Sequence, residues 1–262
     1  MERALLAVLL ILGIQSMAQA FSIGTQNLYH YRTAYETRVE HLYKEHAKGD
    51  FPEILGVQEA ARWSLSENIF DELIRLTNYR GIYQNTNEFG VMNEGLALVA
   101  GVPGRNLESR ELPATKMFSR QYMNAGVFLT DSGEIMVINV HFSPFAEMRQ
   151  NRVVQAKFVM KFIAEKSEGL PVVIVGDLND SYDSSVLQVF RDAGFADALD
   201  GKEYTYNPDT NPLVKDKQYG PSRLDYILYQ PARLKVEKAN LIFQENWVSD
   251  HYGLGAVFSL IL

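Results

Sequence analysis

Residues Pro171-Val172-Val173-Ile174-Val175-Gly176-Asp177-Leu178-Asn179-Asp180 constrain this chain more than any other stretch. Four β-branched residues in succession, with no polar interruption, predict a short strand buried on both faces. Beyond a glycine the run delivers Asp177, Asn179 and Asp180. A buried strand that ends in carboxylates and an amide holds acid–base or metal-ligating groups rigidly at its mouth. Asp and Asn also favour turns, so one such end proves little.

The pattern repeats. Residues 22–25 lead to Gln26 and Asn27, residues 54–57 to Gln58 and Glu59, and residues 137–140 to His141. Asp225 lies in the run 223–229, and Ser249-Asp250-His251 immediately precedes the last apolar run. A sheet lines up its strand ends along one edge, so six polar ends of this kind predict one site.

Between these runs, residues 33–48 read as a helix with Val39, Leu42, Tyr43 and His46 at helical spacing. Ser64-Leu65-Ser66-Glu67 has the pattern of a capping box opening a second helix. Residues 147–166 predict the longest helix, with Val153, Val154, Phe158, Phe162 and Ile163 inward, and residues 184–193 a shorter one. Strands are expected at 81–84, 95–100, 235–244 and 253–260, and Asp131-Ser132-Gly133 marks a hairpin joining 125–130 to 134–141. Helices interleave with strands joined by tight turns, which favours mixed sheets with helices outside over a parallel barrel.

The first twenty residues read differently. Met1-Glu2-Arg3, the apolar run 4–14 and Ala18-Gln19-Ala20 have the form of a secretory signal peptide, and the run is too short to span a bilayer comfortably. The expected product is one domain over residues 21–262, exported as a secreted or periplasmic monomer. The chain has no cysteine, so packing rather than disulfides must stabilise it. Its formal charge of −7 argues against a large basic footprint for tight nucleic-acid binding.

In order, Thr25-Gln26-Asn27-Leu28, Gly56-Val57-Gln58-Glu59-Ala60, Asn139-Val140-His141, Gly176-Asp177-Leu178-Asn179-Asp180, Arg223-Leu224-Asp225-Tyr226-Ile227 and Ser249-Asp250-His251-Tyr252-Gly253 cover nearly all of the chain after residue 20. Together they resemble the endonuclease/exonuclease/phosphatase superfamily, which includes pancreatic-type deoxyribonuclease and neutral sphingomyelinases. The resemblance implies an α+β four-layer sandwich: two packed mixed β-sheets flanked by helices on both outer faces. It implies a metal site at Glu59 with Asn27 beside it and Asp250 as a further carboxylate, holding Mg²⁺, with Mn²⁺ or Ca²⁺ as alternatives. It also implies roles for Asp177 in orienting or deprotonating water, for Asn179 in holding a phosphate oxygen or the nucleophile, and for His251 as general base or charge stabiliser. Asp225 would fix the His251 tautomer, and His141 would donate to phosphate with Glu94 as its orienting carboxylate. Asp180 is left as a turn residue, Arg120 and Arg149 as surface charges, and His30, His41 and His46 as solvent-facing.

The implied activity is hydrolysis of a phosphoric ester, the substrate being a nucleic acid or a phospholipid headgroup. Aromatic and amide residues in two expected loops, 79–93 and 204–219, suit stacking on bases, cradling a choline or resting on a lipid surface, as well as packing over the core. The alternative is a catalytically silent binding or toxin-like module on the same scaffold; the full complement of site residues stands against it.

Overall fold

The computed structural model describes residues 19–49, 51–63, 66–89, 92–113, 120–201, 203–215, 217 and 220–261. The signal-peptide expectation therefore falls almost wholly outside the described residues. Among them the strands are β1 Phe21–Asn27, β2 Ile54–Gln58, β3 Arg62–Trp63, β4 Arg80–Phe89, β5 Met92–Ala100, β6 Gly104–Glu111, β7 Tyr122–Thr130, β8 Gly133–His141, β9 Val172–Asp177, β10 Ala196–Asp197, β11 Asp225–Tyr229, β12 Leu234–Ile242 and β13 Gly253–Leu260. One sheet has the strand order β12–β13–β1–β2–β5–β3, with β4 also paired to β5; the other runs β10–β11–β9–β8–β7–β6. Pairs β1/β2 and β8/β9 are parallel and the remaining pairs antiparallel, so both sheets are mixed.

The sheets meet through Ile23, Ile54, Leu98, Val137, Val173, Val175 and Ile227, all essentially inaccessible to solvent. Burial of each such aliphatic side chain contributes roughly 1.5–3 kcal/mol. Helices α1 Tyr35–Ala47 and α2 Ile69–Thr77 cover the first sheet, with Leu42, Phe70 and Leu73 packed on Leu55, Val57 and Ala97. Helices α3 Arg149–Lys166 and α4 Ser185–Asp192 cover the second, with Val159, Phe162 and Phe190 packed on Ile138 and Ile174. Four layers result, as the motifs implied.

Two glycines set the geometry near the mouth. A Cβ on Gly56 would come within 2.5 Å of Val175 and 2.7 Å of Asn139, so the sheets approach closely there. Gly176 has φ of +139°, and a Cβ there would lie 2.0 Å from the Val140 carbonyl oxygen. Only glycine fits, because that backbone region excludes side chains. Between the sheets Gln58 Nε2 donates to Asn139 Oδ1 at 2.6 Å, and Asn139 Nδ2 donates to the Ala97 carbonyl at 2.7 Å. These bonds satisfy the amides that the close approach buries.

Several local expectations are corrected. Ser64 and Leu65 lie outside the described residues, and α2 is opened by Asn68, whose side chain accepts from the Asp71 N–H. Helix α1 buries Arg38 and Leu42, whereas Tyr43 is exposed. In α3, Arg152, Gln155 and Ala156 are buried and Val154 is exposed, whereas Phe162 and Ile163 face inward as expected; Arg152 is buried against Asp180 at 3.0 Å. The expected loop 79–93 is largely the β4/β5 hairpin, whose register runs from Arg80↔Ala100 to Phe89↔Met92.

Candidate active site

Strand register assembles the centre. His141 and Asp225 are both paired with Asp177, one across the parallel β8/β9 ladder and the other across the antiparallel β11/β9 ladder. Asn27 ends β1 opposite Gln58, and Glu59 follows one residue later with φ of +49°. Asp250 and His251 enter just before β13, which pairs with β1. The edges of both sheets thus converge.

On one side, His251 Nδ1 lies 2.8 Å from Asp225 Oδ2, and Asp225 is fully buried. That bond leaves Nε2 as the ring nitrogen available to a substrate. Thr205 Oγ1 accepts from the Leu224 and Asp225 N–H groups, which fixes the start of β11. Tyr206 packs edge-on against the His251 ring, with centroids 5.4 Å apart. Asp177 Oδ2 is 3.8 Å from His141 Nε2 and 4.0 Å from His251 Nδ1, and accepts from Asn27 Nδ2 at 3.1 Å. Asn179, at φ of +51°, returns its N–H to Asp177 Oδ1 at 2.8 Å and points Nδ2 at the Phe142 carbonyl at 3.1 Å.

Burial, reinforced by Asp225, lifts the Asp177 carboxyl to about 6. For His251, burial disfavours the cation, but the charge and hydrogen bond of Asp225 outweigh it and hold the imidazole well above its ordinary value. At neutral pH the pair therefore comprises an ionised Asp177 and a protonated His251.

On the other side, Glu59 Oε1 accepts from Asn27 Nδ2 at 3.1 Å, and Oε2 accepts from the His30 backbone N–H at 3.2 Å and lies 2.5 Å from His30 Nδ1. Burial opposes ionisation of Glu59, yet His30 keeps it below the usual carboxylate range. Burial and the Glu59 charge both raise Glu94. Asp250 is pushed up to about 6, chiefly by burial, with Glu59 adding to the effect against His251. Asn27 turns Oδ1 to the Tyr29 N–H and its amide nitrogen to the acids, so it anchors Glu59 and Asp177 by donation.

His30 is thus not a solvent-facing residue. Glu94 Oε2 is 3.7 Å from His30 Nδ1 and hydrogen-bonds no histidine among the described residues; it acts on His141 through charge alone. His41 Nδ1 bonds the Trp247 carbonyl at 2.9 Å and His46 packs against Phe51, both away from this cluster. Asp180 is buried, with Arg149 at 3.2 Å and Arg152 at 3.0 Å, so Arg149 is an anchor rather than an isolated surface charge. Arg120 remains exposed beside Glu111. Arg223 Nη2 donates to both oxygens of Asp197 at 2.9 and 3.0 Å, and its Nε donates to the Asp225 carbonyl at 2.6 Å.

A model of the Endonuclease/Exonuclease/phosphatase family matches residues 24–251, from β1 to His251. The chain belongs to that family. Its members are hydrolases of phosphoric esters and generally use divalent metals. Among solved structures, the family protein from Bacteroides vulgatus is similar at a TM-score of 0.72 and 18% identity, covering 93% of this chain and 100% of that one. The human Nocturnin catalytic domain with bound sulfate anion is similar at 0.72 and 20% identity, covering 92% and 94%. Truncated TDP2 from Caenorhabditis elegans is similar at 0.68 and 18% identity, covering 92% and 97%. No curated protein matches by sequence. At these identities the solved structures show the shared fold.

The residues suit a divalent cation. Burial and the charge of Glu59 together raise the carboxyls of Glu94 and Asp250. Oxygen-rich clusters of this charge favour hard cations. Asp177, Asp225 and His251 also bring ligand atoms within 4.8 Å of one another, with His251 Nδ1 and Asp225 Oδ2 2.8 Å apart.

Proposed function

We propose that the chain is an exported, metal-dependent phosphodiesterase that hydrolyses a nucleic acid or a phospholipid headgroup by direct attack of water. The observation that carries this reading is the buried Asp225–His251 pair beside Asp177 and His141, with Asn27 bonded to both Asp177 and Glu59. Asp177, ionised at neutral pH and pinned by Asn27 and the Asn179 N–H, takes the proton of the attacking water. His251, held protonated by Asp225, donates through Nε2 to the phosphate as negative charge develops. His141 supplies a second donor beside Asp177. A divalent cation held by Glu59 and Asp250 would neutralise charge at the phosphate as a Lewis acid. The signal-peptide-like pattern of residues 1–20 supports export, and no helix among the described residues is long and apolar enough to cross a membrane.

Hydrolysis of plasmid DNA, RNA, sphingomyelin and small phosphate esters, each with Mg²⁺ or Mn²⁺ and with excess chelator, tests the proposal. Turnover of one class, abolished by chelator and by Asp177→Asn, is expected. Nicked plasmid identifies a nuclease and released phosphocholine a lipid hydrolase. Chelator-resistant turnover would remove the metal from the reading.

A further inference from the structure

We propose that the buried pair Arg152–Asp180 is a positioning element of this site: it locks the loop after β8 to the loop after β9, and so holds His141 and Asn179 in fixed relation to Asp177. Its effect on turnover rests on the hydrolase reading above. Arg152 stands in the first turn of α3 and Asp180 three residues past β9, and both are almost fully buried. Arg152 Nε donates to Asp180 Oδ2 at 3.0 Å, while Nη1 donates to the carbonyls of Ser143 at 3.0 Å and Phe145 at 2.7 Å. One guanidinium therefore grips both loops. They also meet directly: Asn179 Nδ2 donates to the Phe142 carbonyl at 3.1 Å, and the Phe142 N–H donates to the Asp177 carbonyl at 2.9 Å. Gln155, further along α3, accepts from the Ser143 N–H at 3.0 Å and donates to its hydroxyl at 2.9 Å.

Two observations mark the pair as more than a stabilising contact. The first is backbone conformation. Asn179 has φ of +51°, and Phe145, exposed and bulky, has φ of +67° with ψ of 135°. Residues with side chains keep such conformations only where their surroundings over-determine them, and both lie in the loops that the pair grips. The second is economy. A buried ion pair is a poor stabiliser, because desolvation offsets the attraction and an apolar pair of similar volume serves as well. What an apolar pair lacks is the rigid fork of directed donors that a guanidinium carries. Arg149 reaches the same carboxylate at 3.2 Å but is more than half exposed, where screening makes it a minor partner. His141 immediately precedes Phe142 and Asn179 immediately precedes Asp180, so slack in either loop passes straight to a site residue. A misplacement of about 1 Å can cost on the order of a hundredfold in rate.

Amide hydrogen exchange followed by nuclear magnetic resonance, together with steady-state kinetics, tests the proposal in Asp180→Asn and Arg152→Lys. The kinetic probe is bis(4-nitrophenyl) phosphate with Mn²⁺ or, failing that, whichever ester of the panel above the wild type cleaves. Each variant is expected to speed exchange at Phe142, Ser143 and Asn179 together by at least about tenfold, leaving Val173 and Val175 in β9 protected. Each is expected to lower kcat by about 10–100-fold with KM changed less than about threefold, at a temperature well below melting. Thermal unfolding reports whether each folds, and Asp180→Asn, which keeps the side-chain shape, is the milder of the two. Arg105→Gln, which breaks an exposed pair with Glu134, leaves every readout unchanged. A lower melting temperature with unchanged kcat would make the pair structural only and overturn the proposal. Faster exchange in one loop without the other would overturn it as well, leaving the hydrolase reading intact. A wild type that cleaves no ester overturns that reading instead, and the exchange rates alone then decide whether the pair couples the loops.

Discussion

The two halves of the site are built from the same residue types and balanced differently. Around Asp177 and Asp225, two acids are met by His141 and His251, by Asn27 and by the Asn179 N–H. Around Glu59, Glu94 and Asp250, three acids share one imidazole and one amide. The first half sets two histidines against its two acids; the second sets one against three. Both use burial to raise a carboxyl, so the number of histidines facing the acids, rather than burial, is what separates them.

Removing a proton donor should break the first half most severely. His251→Ala is expected to lower kcat on the order of a thousandfold with the fold intact, as circular dichroism would verify, since a positioned acid or base contributes 10²–10⁴-fold. Asp225→Asn is the gentler cut, because the imidazole remains and loses only its anionic partner. A loss of about 10–100-fold in kcat is expected, with the His251 pKa falling toward an ordinary histidine value by nuclear magnetic resonance. An unchanged His251 titration in Asp225→Asn would show that the pair is not coupled.

The smallest expected effect sharpens the second half. The folded-state pKa of Asp250, about 6, lies above its ordinary value of 3.8. Its contribution to stability is therefore fully present below about 4 and is lost as pH rises through about 6. In chelator, the melting temperature of Asp250→Asn should exceed that of the wild type increasingly as pH is raised from about 5 to about 7. A divalent ion should close this gap at the upper end. A gap independent of pH would mean that Asp250 is ionised throughout.

Asp177, Asp225 and His251 were largely legible in the sequence because they stand at one end or the other of apolar strands, where periodicity fixes position and register aligns the ends. The surroundings of Glu59 were less legible. Glu59 follows β2 directly, but His30 reaches it only through the left-handed turn at Tyr29, a backbone choice that hydropathy does not encode. Its signal was proximity alone, three residues beyond Asn27. Buried arginines escaped for a related reason: Arg38 and Arg152 look like surface charges until the carbonyls and carboxylate that receive them are in place. Strand β6 was missed because its residues are mostly polar and half-exposed at the sheet edge.

Arg38 carries a consequence for how this chain can vary. Its guanidinium donates to the carbonyls of Leu28, Tyr29, Tyr31, Thr33 and Val248, and burial brings it down to about 10. Four of those carbonyls lie within ten residues before it, and the fifth stands two residues ahead of Asp250. The spacing from Asn27 to Arg38 is thus a fixed ruler. An insertion or deletion there would have to unseat a buried cation before it changed the loop, so length variation in relatives should fall elsewhere, most readily at the exposed ends of α3.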